Sequence, residues 1–170
     1  MAAKSKSSAK SKSLEDLFLE TLKDVYSAEK QILRGLTKMA KAAEAEELSQ
    51  AFETHREETE GQIERIEQVF ELLGKPARAK TCHAIQGLIE EANEVAKEFK
   101  GSEALDAGLL ASAQAVEHYE ISRYGTLRTW AMQLGMRDAA RLFEQTLQEE
   151  KKTDQLLTRM AEQDVNQKAA

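Results

Sequence analysis

Disulfides are the first thing this chain excludes. Cys82 is its only cysteine, so no intramolecular bridge can form, and a lone thiol fits a reducing, cytoplasmic setting. Pro76 is the only proline and aromatic residues make up 5% of the chain, which argues against a β-sandwich or barrel. No apolar run approaches the roughly 18 residues that a membrane-spanning helix requires, so a soluble protein is expected. Gly-rich phosphate loops, Ser/His/Asp constellations and paired cysteines are missing too. What the chain has in quantity is Ala, Leu, Glu, Lys and Gln, all good helix formers. Its 170 residues suffice for one domain, which at this size buries roughly 70% of its unfolded surface and needs no staple.

Charge is unevenly spread. The net charge is −6, yet residues 1–13, MAAKSKSSAKSKS, carry four lysines and no acid, leaving the remainder near −10. That segment offers nothing to bury and reads as a disordered basic tail, with a helical domain over residues 14–165. It lacks the apolar core of a secretory signal. Its lysines would draw it weakly, and in a salt-sensitive way, to DNA or another anionic surface, whereas the acidic body would repel nucleic acid.

Ser13 and Asp16 form a capping-box pattern that opens a long helix through Leu14, Phe18, Leu22, Val25, Ile32, Leu36 and Met39. A soft turn near residues 43–45 leads to a second helix carrying Leu48, Phe52, Ile66, Val69 and Leu73, ended by Gly74 and Pro76. Residues 75–101 form a long connection in which Thr81 to about Phe99 makes a shorter helix. Ser102 is expected to cap a third long helix through Leu109, Val116 and Leu127, with Gly135 ending it and a last helix starting near Asp138. Trp130 and the methionines read as core. Each long helix spans roughly 40–50 Å at 1.5 Å per residue. Two hairpins joined by one long connection predict an all-α, antiparallel four-helix bundle whose crossover carries a short extra helix, the ferritin-like arrangement.

The apolar stripe breaks once on every long helix. Glu29 lies on the Val25–Ile32 seam; His55, Glu58, Thr59 and Gln62 fill the gap between Phe52 and Ile66. Glu117 and Glu120 occupy the seam around Val116, and Glu150 and Asp154 sit between Leu147 and Leu157. Residues three and four apart share a helix face, so these groups point inward with their apolar neighbours. Folding the first hairpin about residue 44 sets Glu29 beside Glu58. Folding the second about its Gly135 turn sets Glu120 beside Glu150 and Glu117 opposite Asp154. Four carboxylates meet at one level.

Buried carboxylates without partners are expensive, and two divalent cations would neutralise four of them. Oxygen ligands with one imidazole suit iron or manganese, while Mg²⁺ and Ca²⁺ also take such donors. His55 is either a ligand or a group that orients one. Glu117 and Asp154 are either additional oxygen ligands, partners of each other, or partners of Arg123. Tyr26, Gln62, Tyr119 and Tyr124 are candidates for packing or for orienting the carboxylates. His83 and His118 have no evident partner.

The segments LKDVYSAEKQIL, HREETEGQIERIEQVFELLGK, AVEHYEISRYGTL and LQEEKKTDQLL give the chain its resemblance to the YciE/YciF-like branch of the ferritin-like superfamily. The resemblance covers nearly everything after the tail. It implies a di-metal site, a homodimer and a link to bacterial stress responses. Glu29 and Glu120 match the single glutamates of the superfamily's first and third helices, and Glu58 and Glu150 match those of its second and fourth. The histidines depart from that pattern. Gly61 and Thr153 stand where the superfamily places His three residues after the second and fourth glutamates, whereas His55 precedes Glu58 by three.

The leading expectation is therefore a non-haem di-metal protein, with iron ahead of manganese, handling iron or peroxide under stress. Its metal residues are Glu29, Glu58, Glu120 and Glu150, with His55, Glu117 and Asp154 completing the shell, and dioxygen or peroxide its small-molecule substrate. Two other classes compete: a structural or interaction bundle with a hydrogen-bonded acidic centre, and a nucleoid-associated protein working through its tail.

Overall fold

The computed structural model describes residues 11–170. Most of the expected basic tail lies outside the described residues. The first helix, α1 (Leu14–Ala42), opens on the expected capping box: the Asp16 amide donates to the Ser13 hydroxyl at 3.2 Å, and the Ser13 amide donates to the Asp16 carboxylate at 2.8 Å. Then follow α2 (Glu46–Leu72), α3 (His83–Glu98), α4 (Leu105–Gln133) and α5 (Arg137–Met160). A π-helical stretch (Ala161–Val165) and a final helical turn, α6 (Asn166–Lys168), carry the helix past the expected end. Helices account for all the regular structure among the described residues.

Short turns make α1 pair with α2 and α4 with α5, each antiparallel. Gly74 and Gly135, at φ 63° and 75°, occupy the left-handed region that ends α2 and α4, where a side chain would be strained. The two hairpins meet through α2 on α5 and α1 on α4. The crossover runs back along α1, where the Lys80 amide donates to the Lys23 carbonyl at 3.0 Å, and then forms α3 against α1 and α4. This is the four-helix bundle with one crossover that the sequence predicts.

Two local expectations are corrected. Ser102 does not cap α4: the chain turns through Gly101, α4 begins at Leu105, and the Ser102 hydroxyl is buried without a partner. Met132 is 57% exposed and Trp130 half-buried, because they flank the fully buried Ala131 and turn away from the interior that it faces. The N-terminus of α2 has no local cap. Instead the Glu44 and Ala45 amides donate to the Asp106 carboxylate of α4 at 2.9 and 2.7 Å, a cap supplied from the far hairpin.

The apolar interior is divided in two. One cluster holds Ile32, Phe52, Val116 and Leu157; the other holds Val25, Ile66, Tyr124 and Leu147. On every long helix the division falls where the polar interruption sits.

Candidate metal centre

Between the two apolar clusters lie Glu29, His55, Glu117, Glu120 and Glu150, all at most 3% exposed. One donor atom from each of His55, Glu117, Glu120 and Glu150 lies within 4.8 Å of every other. His55 Nε2 is 3.0 Å from Glu117 Oε1 and 3.9 Å from Glu150 Oε2, while its Nδ1 is 3.6 Å from Glu58 Oε2. Heptad-like spacing explains the inward aim. Residues 52, 55, 59, 62 and 66 form one face of α2, and 113, 116, 117, 120, 124 and 127 one face of α4.

Two side chains named as orienting groups do orient carboxylates here. The Tyr124 hydroxyl donates to Glu29 Oε1, and the Gln62 amide donates to Glu150 Oε1. The other two tyrosines serve elsewhere: Tyr26 donates to Glu67 at 2.5 Å, and Tyr119 donates to Asp24 at 2.8 Å.

The remaining predicted residues divide. Glu58 reaches the cluster only through His55, and its side chain is 32% exposed, so it stands at the edge between α2 and α5. Asp154 is not brought to the cluster. Its Oδ1 accepts from the Gln114 amide at 3.3 Å and lies 3.2 Å from His118 Nε2, on the outer side of α4 and α5. It sits four residues after Glu150, and the rotation of α5 gives the inward position to Thr153. His118 thereby gains a partner that spacing alone did not identify.

The electrostatics are those of an uncompensated site. Burial pushes Glu29 up to about 7 against the stabilising bond from Tyr124. Burial, followed by repulsion from neighbouring glutamates, holds Glu120 and Glu150 well above the usual carboxylate range. Burial alone would lower His55, but the Glu117 carboxylate reverses this and raises its pKa. No lysine or arginine is buried among the described residues. Glu29 Oε2, Glu117 Oε2, both Glu120 oxygens and Glu150 Oε2 have no hydrogen-bond partner. Buried polar atoms are rarely left so. Oxygen donors in excess with one imidazole are the donor set of a hard or borderline divalent cation, and the residues brought together here could hold such an ion.

Sequence reasoning missed the supporting ring around Gln62. Arg65 pairs with Glu149 and its Nε donates to the Thr146 hydroxyl at 2.9 Å, which ties α2 to α5 beside the cluster. Arg65 three residues after Gln62 was the available signal.

An antiparallel helical bundle with a buried Glu/His cluster at its waist is thus the class this chain defines. Residues 13–170 match the family described as a domain of unknown function (DUF892), and the chain belongs to that family. It is similar to protein YciF of Escherichia coli strain K12, with 56% identity over 160 residues covering 93% of this chain and 96% of that protein. The crystal structure of the E. coli stress protein YciF matches with a TM-score of 0.87 at 54% identity, covering 92% of this chain and 99% of that one. YcfI from Rhodopseudomonas palustris matches with a TM-score of 0.85 at 48% identity, over 89% and 96% of the two chains. A Xanthomonas campestris protein at 24% identity and a TM-score of 0.72 has the same fold, over 91% and 94% of the chains. No helix among the described residues is long and apolar enough to cross a membrane.

Proposed function

We propose that this chain is a non-haem di-metal carboxylate protein, with iron the leading occupant and manganese the second. The observation that carries the reading is the set of five carboxylate oxygens buried with no partner in a layer that contains no lysine or arginine. Glu29, Glu117, Glu120, Glu150 and His55 would hold the ions, with Glu58 contributing from the open edge. Asp154 is left out of the ligand set because His118 and Gln114 occupy it. Such a pair of ions, when bound, would supply redox chemistry towards dioxygen or peroxide. The chain's own groups do the rest. Tyr124 and Gln62 fix the rotamers of Glu29 and Glu150, and the apolar layers above and below exclude water.

Similarity to a protein described as a stress protein supports a role under stress, and the proposed centre makes that role iron or peroxide handling. The resemblance also implies a homodimer, which sedimentation tests; the four lysines of residues 1–13 would add weak, salt-sensitive attraction to DNA, which a low-salt gel shift with those residues deleted tests. The central test is metal analysis of protein purified without chelator and then loaded anaerobically with Fe²⁺. The expected content is about two ions per chain; less than about half an equivalent of iron or manganese would sink the reading.

A further inference from the structure

The two flanks of the carboxylate layer differ in chemistry. Between α2 and α5 it ends on charged and polar groups, Glu58 and Thr153, with Lys152 acting on Glu58. On the opposite flank, where α3 packs on α1 and α4, it ends on an apolar cavity of about 20 Å³. Ile32 and Leu36 of α1 and Ala113 and Val116 of α4 form its walls. Glu117 is the only polar side chain lining it among the described residues, and Glu117 Oε2 is buried without a partner. The outer end is closed by Met39 and Ile89, both partly buried. Ile32 lies three residues beyond Glu29, so the cavity begins within one turn, ~5 Å, of the carboxylate layer.

Gly35 creates this gap. It sits inside α1 with ordinary helical backbone, so no left-handed turn requires a glycine there. Crowding does not require it either. A Cβ added at Gly35 meets Ile89 Cδ1 and Cγ1, both at 3.7 Å, an ordinary van der Waals distance. Glycine inside a helix costs stability relative to alanine, and what it leaves here is space that a methyl group would occupy. The volume admits one small molecule and no organic substrate. A buried water needs about two to four hydrogen-bond partners, and Glu117 alone is within the cavity wall. Hydrogen peroxide carries O–H donors at both ends and meets the same shortage. Dioxygen has no donor to satisfy, and as an apolar molecule it is favoured on leaving water for such a wall.

We propose that this cavity binds dioxygen beside Glu117, with Gly35 as the residue that makes room for it. The inference deepens the reading of the metal centre by naming dioxygen, and not peroxide, as the small molecule held next to it. It rests on that reading only for this consequence, because occupancy of the cavity itself requires no metal.

Methyl NMR of the full-length, chelator-treated protein under dioxygen pressure, with nitrogen at the same pressure as reference, tests it. Dioxygen is paramagnetic and speeds the relaxation of methyl groups that it visits. The enhancement should be severalfold greater at Ile32 and Leu36, 3% and 4% exposed, than at Leu147, 3% exposed in the other apolar cluster. Gly35→Ala should remove that excess. Gly125→Ala in α4, where an added Cβ meets nothing within 4 Å, should retain it. Both variants should melt at or above the parent temperature, since alanine is the better helix former. Equal enhancement at the three methyl-bearing residues, or an excess that survives Gly35→Ala, overturns the proposal. So does cross-relaxation between water and the Ile32 methyls in the parent protein, which would show the cavity to be wet. A lower melting temperature for Gly35→Ala overturns it too, because the methyl would have found no room. None of these outcomes bears on metal content. Failure of Fe²⁺ and Mn²⁺ to load overturns the metal reading, while the dioxygen measurement still decides the cavity.

Discussion

His55 Nε2 lies 3.0 Å from Glu117 Oε1, although α2 and α4 occupy diagonal corners of the bundle. Only a contact through the central axis can join these two helices, so this pair reports directly on the interior of the metal-free protein. His55 is the one cationic group available there, and the Glu117 carboxylate favours its charged form. Removing one partner strands the other. In the presence of chelator His55→Leu should destabilise the protein by about 3–5 kcal/mol, whereas His55→Leu with Glu117→Leu should recover much of that loss. Urea denaturation of both variants measures the coupling; additive losses would show that the pair is not engaged in solution.

Stability of the metal-free protein should fall as pH rises. Glu29 titrates near 4.5 when unfolded and at about 7 when folded, so below 4.5 it is neutral in both states. Between those values the unfolded chain ionises first, and the stability contributed by the neutral buried carboxyl is lost as pH climbs through 7. For Glu29 alone this is on the order of 3 kcal/mol. Glu120 and Glu150, also raised by burial and neighbouring carboxylates, add to the loss in the same direction, as does His55, raised by Glu117. Glu58, lowered by His55, opposes this only at the acid end. Melting temperatures with chelator should drop from about pH 5 to about pH 8, and added metal should reverse the trend because its ligands must lose their protons.

Function and stability should part company at Glu120. Both of its oxygens are buried without partners, and repulsion from Glu150 and Glu29 adds to the burial. Glu120→Gln removes the charge and adds two donors facing those carboxylates. It should raise the metal-free melting point, by about 1–3 kcal/mol in stability, while sharply lowering metal content. Calorimetry and metal analysis on the same preparation check both halves.

Tyr124→Phe isolates the hydroxyl that holds Glu29. A bond to a charged or charge-bearing group is worth about 1.5–3 kcal/mol, and loss of such an orienting partner weakens metal binding by about 10- to 100-fold. A competition titration against a chelating dye reads the affinity. Unchanged affinity would mean Glu29 needs no orientation.

Asp106→Ala removes the carboxylate that caps α2 from the far hairpin. The expected loss is about 1–2 kcal/mol, with hydrogen exchange accelerated at residues 44–49 before elsewhere.

Much of this was legible in the chain. Apolar steps of three and four gave the helices, and the Ser13–Asp16 box and the glycines at 74 and 135 gave three of their ends. Depth matching across two short turns put Glu29, Glu120 and Glu150 in one layer, because rise per residue is fixed along any helix. Ser102 misled because a capping residue type says nothing about whether its backbone turns there. The cap on α2 could not be seen at all, since its carboxylate arrives from 61 residues away.

Level along the bundle, then, was fixed by the sequence through helical rise, a local quantity. Angle about each helix was not. Glu58 and Glu150 look alike in their sequence contexts, yet one is 32% exposed and the other fully buried, and Asp154 turns outward to His118. A rotation of part of a turn, set by how four helices share one interior, decides which carboxylate faces the axis and which faces the edge between α2 and α5. That sharing is a property of the packed whole, and only the tertiary structure contains it.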